Sequence, residues 1–326
     1  MYSKFNGVSW STPKKVSLYD SKACEEPSIE VDSKNNIWVV YNNDGAGSPN
    51  EFVFIVSSSD GGNTWSSTAT QLSKSRNIGT SISNGRCALS AGPNGRLVAI
   101  WHDGQSWNQD RREIFANQFD GTSWAGEVLI SDTKFSDRSA NWYPTVAVDK
   151  NSNIYAFYHT NDKPTDAVPT RYVIMQKKTW DQNWTQSVKK VLHSETACDM
   201  LSTSAVADED GVIHFAFRKD VPVDMTGIDA IYYTFPKDGG NTWSNQTRLG
   251  RQNHDGGYVT IASRVRKQYG IDFAFRKSKT PFINDESITT VHHVNVPYSF
   301  ITNLSKEDPI PNQFEVITNY PNPFNP

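Results

Sequence analysis

The stretch "PTVAVDKNSNIYAFYHTN" (residues 144–161) sets the pattern of the whole chain. It reads as a strand, a tight polar turn and a second strand rich in β-branched and aromatic residues. Four other segments share this pattern: "PSIEVDSKNNIWVVYNND" from Pro27, "CALSAGPNGRLVAIWHDG" from Cys87, "TSAVADEDGVIHFAFRKD" from Thr203 and "IASRVRKQYGIDFAFRKS" from Ile261. Successive segments start 57 to 60 residues apart, so the chain is built from an internal repeat.

Each repeat then carries further β-rich runs, such as "FVFIVS" (52–57), "AIYYTF" (230–235) and "TRLG" (247–250). No long helical period lies between them, which argues against βαβ units. Four antiparallel strands per repeat are typical of a β-propeller blade. We therefore predict an all-β propeller of five blades, and a sixth blade is the alternative if the native N-terminus is longer.

The N-terminal segment resembles the end of a repeat. "FNGVSWSTPKKVS" (5–17) matches "FDGTSWAGEVLIS" (119–131), whereas no such segment follows "TTVHHVNV" (289–296) in the fifth repeat. We predict that the N-terminal strand completes the last blade and closes the ring, because closure removes exposed sheet edges. The predicted propeller domain spans residues 1–297.

A short turn, "SSDGGNTW" (58–65), is nearly repeated as "PKDGGNTW" (236–243). Both resemble the Asp-box, or BNR repeat, S-x-D-x-G-x-T-W, of sialidase-like propellers. The resemblance rests on these residues: Ser58, Asp60, Gly62, Thr64 and Trp65, and Asp238, Gly240, Thr242 and Trp243. The Asp can accept backbone N–H groups, the Gly residues permit positive φ, and the Trp can pack between blades. We predict a structural role for this turn, which joins the third strand to the fourth.

Candidate functional residues gather at the opposite end of the blades, called here the upper end, where each first strand begins and each second strand ends. Side chains from several blades converge there, as at the ligand sites of ring-shaped folds. The candidate catalytic residues are Glu25, Glu26, Asp199, Asp255 and Tyr258. The candidate substrate-binding residues are Arg218, Arg276, Arg86, His102, His159, Trp142 and Tyr143.

The stretch "DGVIHFAFR" (210–218) resembles the sialidase segment in which an Arg grips the substrate carboxylate, and "GIDFAFR" (270–276) repeats it. The resemblance implies that Arg218 and Arg276 form a bidentate carboxylate clamp. The chain departs from sialidases in two respects: it lacks their Phe/Tyr-Arg-Ile-Pro segment, and Ser202 or Thr203 stands near the position of their Glu.

Three functions follow as hypotheses. The leading one is a sialidase-like glycoside hydrolase that acts on an acidic glycan. The second is a non-catalytic glycan-binding or adhesive module. The third is a polysaccharide lyase in which His102 or His159, together with Tyr143, serves as acid and base. The expected partner in each case is an oligosaccharide or polysaccharide.

Composition excludes several other classes. The 32 Lys and Arg nearly balance the 35 Asp and Glu, which argues against nucleic-acid binding. No apolar run is long enough to cross a bilayer. No CxxC or HExxH spacing occurs, and three Cys do not make a disulfide framework. We expect a monomer with no cofactor, and a structural Ca²⁺ among the loop carboxylates is left open.

The tail, residues 298–326, is rich in Pro and Asn and reads as a linker. Its last residues, "NYPNPFNP" (319–326), resemble the start of the C-terminal sorting domain of type IX secretion in Bacteroidetes. The resemblance implies a secreted or cell-surface protein and a sorting domain that is truncated here.

Overall fold

The computed structural model describes most of the chain. The described residues are 1–18, 24–44, 51–74, 82–105, 112–131, 141–162, 170–196, 202–220, 229–236, 238–249, 256–278 and 289–303. They fall into two compact units, Met1–Asp132 and Thr133–Thr318.

The first unit contains two four-stranded antiparallel sheets. Blade 1 consists of β1 (Cys24–Val31), β2 (Ile37–Asp44), β3 (Glu51–Ser58) and β4 (Thr70–Gln71). Blade 2 consists of β5 (Ile82–Ala91), β6 (Leu97–Gln105), β7 (Arg112–Phe119) and β8 (Val128–Leu129). In both sheets the strands pair in sequence order, as expected for a propeller blade.

The second unit contains three sheets. Blade 3 consists of β9 (Asn141–Val148), β10 (Asn153–Asp162), β11 (Thr170–Thr179) and β12 (Val188–Thr196). Blade 4 consists of β13 (Thr203–Ala207), β14 (Ile213–Asp220), β15 (Asp229–Thr234) and β16 (Thr247–Leu249). Blade 5 consists of β17 (Gly256–Ile261), β18 (Ile271–Ser278) and β19 (Thr289–Val296), and the short helix α1 (Tyr298–Asn303) follows it.

The prediction of an all-β propeller with five blades is confirmed, with one sheet for each sequence repeat. The fifth sheet has three strands among the described residues. Its completion by residues 5–17 would join the two units, and that closure of the ring stays a prediction. The predicted domain boundary lies after residue 297, and the helix α1 follows it directly. Tyr298, the first residue of α1, is buried against blades 4 and 5. Residues 304–326, which include the predicted sorting motif, lie outside the described residues.

Neighbouring blades within each unit are joined through hydroxyl groups on their first strands. Ser28 Oγ accepts a hydrogen bond from the Leu89 backbone N–H at 3.2 Å. In the second unit, Ser204 Oγ accepts one from the Ile261 N–H at 3.0 Å. These bonds align the first strands, and apolar side chains behind them, such as Phe157 stacked on Phe215 at 4.2 Å, fill the space between blades.

The turn at residues 58–65 holds itself together by local hydrogen bonds. The Asp60 carboxylate accepts bonds from the Thr64 N–H at 2.8 Å, the Thr64 hydroxyl at 2.6 Å and the Ser58 hydroxyl at 2.8 Å. These bonds, above all the one from the Thr64 side chain, lower the pKa of Asp60. Gly62 has a φ of 87°, and a Cβ there would lie 2.4 Å from the ring of Tyr2. These contacts hold the turn together and place it against Tyr2, and its structural role stays a prediction.

The N-terminal segment forms a hairpin that repeats the turn of blade 2. Tyr2 pairs with Lys14 and Phe5 with Trp10, as Phe119 pairs with Trp124. The Asn6 side chain accepts the Ser9 N–H at 2.8 Å, in the way that an Asp carboxylate does in blade 2. Tyr2 also meets the ring of Trp65 at 5.1 Å, so this hairpin packs on blade 1.

Candidate functional site

One residue at the upper end of each blade has a positive φ, at or next to the first strand. We call these the bulge residues: Glu26 (48°), Arg86 (48°), Tyr143 (49°), Ser202 (71°) and Tyr258 (50°). In blades 1, 2, 3 and 5 the ladder between the first and second strands shifts register at this point. A β-bulge bends its strand and re-aims a side chain, and bulges are common beside active sites.

A polar side chain of the second strand lies next to each bulge. We call these the second-strand residues: Asn42, His102, His159, Arg218 and Arg276. The register places them there through these contacts: Glu25 opposite Asn42, Gly85 opposite His102, Trp142 opposite His159, the Arg218 N–H on the Ser202 carbonyl at 3.1 Å, and Gly257 opposite Arg276. The upper end of each blade therefore presents one bulge residue and one second-strand residue.

In the first unit the two bulge residues bind each other across neighbouring blades. The Arg86 Nε lies 3.2 Å from Glu26 Oε1, and the Arg86 backbone N–H also donates to the Glu26 carboxylate. The Cys87 thiol donates to the Glu26 carbonyl at 3.4 Å, and burial, with the Glu26 charge, raises the pKa of that thiol. The structure thus brings predicted Glu26 and Arg86 together as an ion pair, while Glu25 is exposed.

His102 pairs with Gly85, the residue before Arg86, and is almost completely buried. Burial, and then the positive charges of Arg112 and Arg86, lower the pKa of His102 to about 3. The imidazole is therefore neutral at physiological pH. It cannot supply positive charge to a carboxylate ligand.

In the second unit, His159 occupies the same position in blade 3 and is 1% exposed. Burial, assisted by the charges of Arg171 and His193, lowers its pKa to about 3, although the backbone of Ser202 acts in the opposite direction. Its ring meets that of Tyr143 edge to face at 6.3 Å. A neutral imidazole thus supports a tyrosine that is partly exposed at the upper end.

Arginines and aromatic rings form two pairs at this end of the second unit. The Arg171 guanidinium lies 5.9 Å from the centre of the Trp142 ring in blade 3. The Arg276 guanidinium lies 5.1 Å from the centre of the Tyr258 ring in blade 5. Such distances are those of cation–π contacts, which leave the guanidinium edge able to donate hydrogen bonds.

Arg218 belongs to blade 4, between these two pairs. The inner strands around it are held together, because Thr203 Oγ1 donates to the Tyr143 carbonyl at 2.6 Å and the Val259 N–H donates to Ser202 Oγ at 2.9 Å. Arg218 and Arg276 are both partly exposed. The predicted candidates Trp142, Tyr143, Arg218, Tyr258 and Arg276 therefore share one end of three consecutive blades, whereas Asp199 and Asp255 lie outside the described residues.

A further polar network between blades 3 and 4 was not predicted from the sequence. His193 Nε2 lies 3.1 Å from Glu195 Oε2, and His193 Nδ1 lies 3.3 Å from the Gln246 side chain. Lys219 Nζ donates to Gln246 Oε1 at 2.9 Å and lies 4.2 Å from the centre of the Tyr232 ring. These residues come from different strands of two blades, so only the blade packing brings them together.

Within the described part of the chain, no cluster of three or more His, Cys, Asp or Glu side chains could hold a metal ion. No helix among the described residues is long and apolar enough to cross a membrane. The predicted absence of a cofactor and the open question of a structural Ca²⁺ are not tested by these observations.

The sequence matches no protein-family model and no curated protein. Its fold, however, is similar to several solved structures. A protein of unknown function from Dyadobacter fermentans has a TM-score of 0.59 at 11% identity, covering 89% of this chain and 83% of that one. An α-L-arabinanase of Penicillium chrysogenum, complexed with arabinobiose, has a TM-score of 0.54 at 13% identity, covering 84% and 90%.

The NanB sialidase from Streptococcus pneumoniae has a TM-score of 0.56 at 11% identity, covering 90% of this chain and 62% of the sialidase. Identities this low establish a shared fold and no more. The chain is thus similar in fold to β-propellers that include a sialidase and an arabinanase.

Proposed function

We propose that the protein is a carbohydrate-active propeller that binds an acidic glycan at the upper end of blades 3, 4 and 5. The observation that carries this proposal is the pairing of Arg276 with the half-exposed ring of Tyr258. A guanidinium binds a carboxylate through two parallel hydrogen bonds, and an aromatic ring offers an apolar face to a sugar. Arg218 in the neighbouring blade would add a second donor to the same carboxylate.

Hydrolysis of the glycan, the leading hypothesis from the sequence, would need further groups. Glycoside hydrolysis commonly uses two carboxylates. Glu26 is held in an ion pair by Arg86, so it is poorly placed to exchange protons with a substrate. The described residues therefore support glycan binding more directly than hydrolysis, and a hydrolase reaction would depend on Glu25, Asp199 or Asp255.

β-Elimination is the second candidate, and the contact between Tyr143 and His159 favours it. In this reaction a base removes the proton next to a uronate carboxylate, the bond to the leaving oxygen breaks, and an acid protonates that oxygen. An arginine stabilises the negative charge that develops on the carboxylate. Because His159 is buried and Tyr143 is partly exposed, Tyr143 would exchange protons with the substrate and His159 would position its ring.

Binding can be tested by isothermal titration with a sialylated oligosaccharide, a polyuronate and a neutral arabino-oligosaccharide. Loss of one charged hydrogen bond in Arg276→Ala should weaken the acidic ligand roughly 10- to 150-fold. The neutral ligand should bind equally to both forms. Arg264→Ala is the matched control, since Arg264 is an exposed arginine in the turn at the opposite end of blade 5.

Equal weakening of acidic and neutral ligands by Arg276→Ala would contradict the carboxylate contact. The same samples report on chemistry. New reducing ends without ultraviolet absorption would indicate hydrolysis, an unsaturated uronate product would indicate elimination, and binding without product would indicate an adhesive module.

Secretion through the type IX system is part of the proposal and rests on the sequence of the tail alone. Fractionation of cells that express the full-length gene, with and without a working type IX translocon, would test it. Retention of the protein inside cells with a working translocon would contradict it.

A further inference from the structure

Among the described residues, two sets with positive φ recur in every blade, and the two sets differ in composition. The first set lies in the turns between the first and second strands, at the lower end of the blades: Asn35 (64°), Asn94 (63°), Ser152 (62°), Gly211 (85°) and Gly270 (79°). The second set is the bulge residues at the upper end. Both sets are represented in every blade, and in blade 2 Gly95 (74°) follows Asn94 in the same turn.

Four of the five residues of the turn set belong to the types that adopt this backbone conformation at low cost, and Ser152 is the exception. Gly has no Cβ to clash, and Asn is strongly enriched in the left-handed region. The bulge set instead contains two Tyr, one Glu, one Arg and one Ser, and no Gly. A bulky side chain in this region is strained, and strain of this kind persists mainly at functional sites.

The core does not account for the large side chains of the bulge residues. Tyr258 is 51% exposed, and Tyr143, Glu26 and Arg86 are all partly exposed. A side chain kept for packing would be buried, as Phe273 on the second strand of blade 5 is. The bulge therefore presents these side chains to the upper surface at a cost in backbone strain.

Each bulge tyrosine also contacts the second-strand residue of its own blade. The Tyr258 ring lies under the Arg276 guanidinium, and the Tyr143 ring meets the His159 ring. The bulge and the second strand thus form a two-residue unit, in which one member supplies an aromatic face and the other a polar group.

We infer that Tyr143 and Tyr258 determine ligand specificity, and that the bulge aims their rings at the sugar units of a bound acidic glycan. The inference rests on the proposed function and names the residues whose rings would contact the sugar units. Tyr258 would lie against the ring whose carboxylate Arg276 binds. Tyr143 would contact a neighbouring unit of the same chain.

The test compares glycine substitutions in the two sets. Tyr258→Gly and Tyr143→Gly remove both the ring and the strain, and Ser152→Gly relieves strain in a turn at the lower end of blade 3 without removing a ring. All three variants should keep or raise the melting temperature, because glycine accepts positive φ. Only the tyrosine variants should lose affinity for the acidic glycan, by roughly tenfold each, since an aromatic contact contributes on that scale.

Two further variants separate the ring from the backbone. Tyr258→Phe keeps the ring and should bind nearly as wild type does, whereas Tyr258→Asn tolerates the bulge, lacks the ring and should bind as Tyr258→Gly does. If the wild type binds the glycan and Tyr258→Gly binds it equally well, this inference is wrong while the proposed function stands.

If the wild type binds no acidic glycan, the proposed function is wrong and the inference falls with it. If Tyr258→Gly and Tyr258→Asn both melt at a lower temperature than the wild type, the ring is kept for the fold, which also overturns the inference.

Discussion

Replacement of His159 by Gln should make the protein less sensitive to acid. In the folded state burial lowers the pKa of His159 to about 3, whereas an unfolded histidine titrates near 6.5. Above pH 6.5 the imidazole is neutral in both states and has no effect on the pH dependence. Below pH 6.5 only the unfolded state takes up the proton, so the free energy of unfolding falls until the pH reaches about 3.

The size of the effect follows from the same two pKa values. A pH of 4.5 lies two units below the pKa of the unfolded imidazole, and one unit corresponds to about 1.4 kcal/mol, so the loss is about 3 kcal/mol. Glutamine takes up no proton in either state. Between pH 7.5 and pH 4.5, His159→Gln should therefore lose about 3 kcal/mol less stability than the wild type does.

Urea denaturation at the two pH values, followed by tryptophan fluorescence, measures this difference. His102→Gln should behave in the same way, because burial also lowers the pKa of His102 to about 3. His293→Gln is the control for removal of an imidazole at a more exposed position of the second unit. Parallel pH dependence of the wild type and His159→Gln would refute the reasoning, because it would mean that the folded protein protonates this ring without cost.

Three further predictions concern the fold. Trp243→Ala should lower the free energy of unfolding by about 3 kcal/mol, because the Trp243 ring packs on Phe157 and Phe215. Titration calorimetry should show an unchanged affinity for the glycan. A variant that keeps full stability but loses affinity would contradict the structural role of Trp243. Burial lowers the pKa of Lys178 from 10.5 to about 8, so between these pH values the folded protein releases a proton that the unfolded protein keeps. Raising the pH from 8 to 10.5 should therefore stabilise the wild type by up to about 3 kcal/mol relative to Lys178→Met. The same pH dependence of the unfolding free energy in both proteins, measured by denaturation, would contradict this prediction. Tyr298→Phe should lower the free energy of unfolding by about 1.5–3 kcal/mol, because the Tyr298 hydroxyl donates a hydrogen bond to the buried Asp208 carboxylate. Urea denaturation measures this change, and an unchanged midpoint would show that the hydrogen bond does not stabilise the fold.

Much of the fold could be predicted from the sequence because its determinants are local. The alternation in "NIYAFYHT" (153–160) and the turns before it specify a strand pair without reference to any other blade. The turn at 58–65 is equally local, since the carboxylate of Asp60 binds Ser58 and Thr64 within the same turn. The repetition of such units along the chain was enough to predict blades and a propeller.

Part of the candidate site could also be predicted from the sequence, because residues near the end of a second strand must lie at the same end of every blade. This argument identified His159, Arg218 and Arg276, but it could not show their states. The stretch "DGVIHFAFR" (210–218), which resembles a sialidase segment, also contains His214. In the structure this histidine is buried and forms hydrogen bonds with Asp208 and Tyr233. Local sequence could not distinguish this structural imidazole from a functional one.

The tertiary structure alone decided which side chains face a ligand and which bind one another. The ion pair of Glu26 with Arg86 joins residues that are 60 positions apart, and the contact between Tyr143 and His159 depends on a bulge that no local propensity favours. Hydrogen bonds between adjacent first strands, such as that of the Val259 N–H to Ser202 Oγ, also join residues far apart in the sequence. Burial of His102 and His159 between blades then sets their charge, because desolvation depends on packing from sequence-distant strands rather than on the neighbouring residues of the chain.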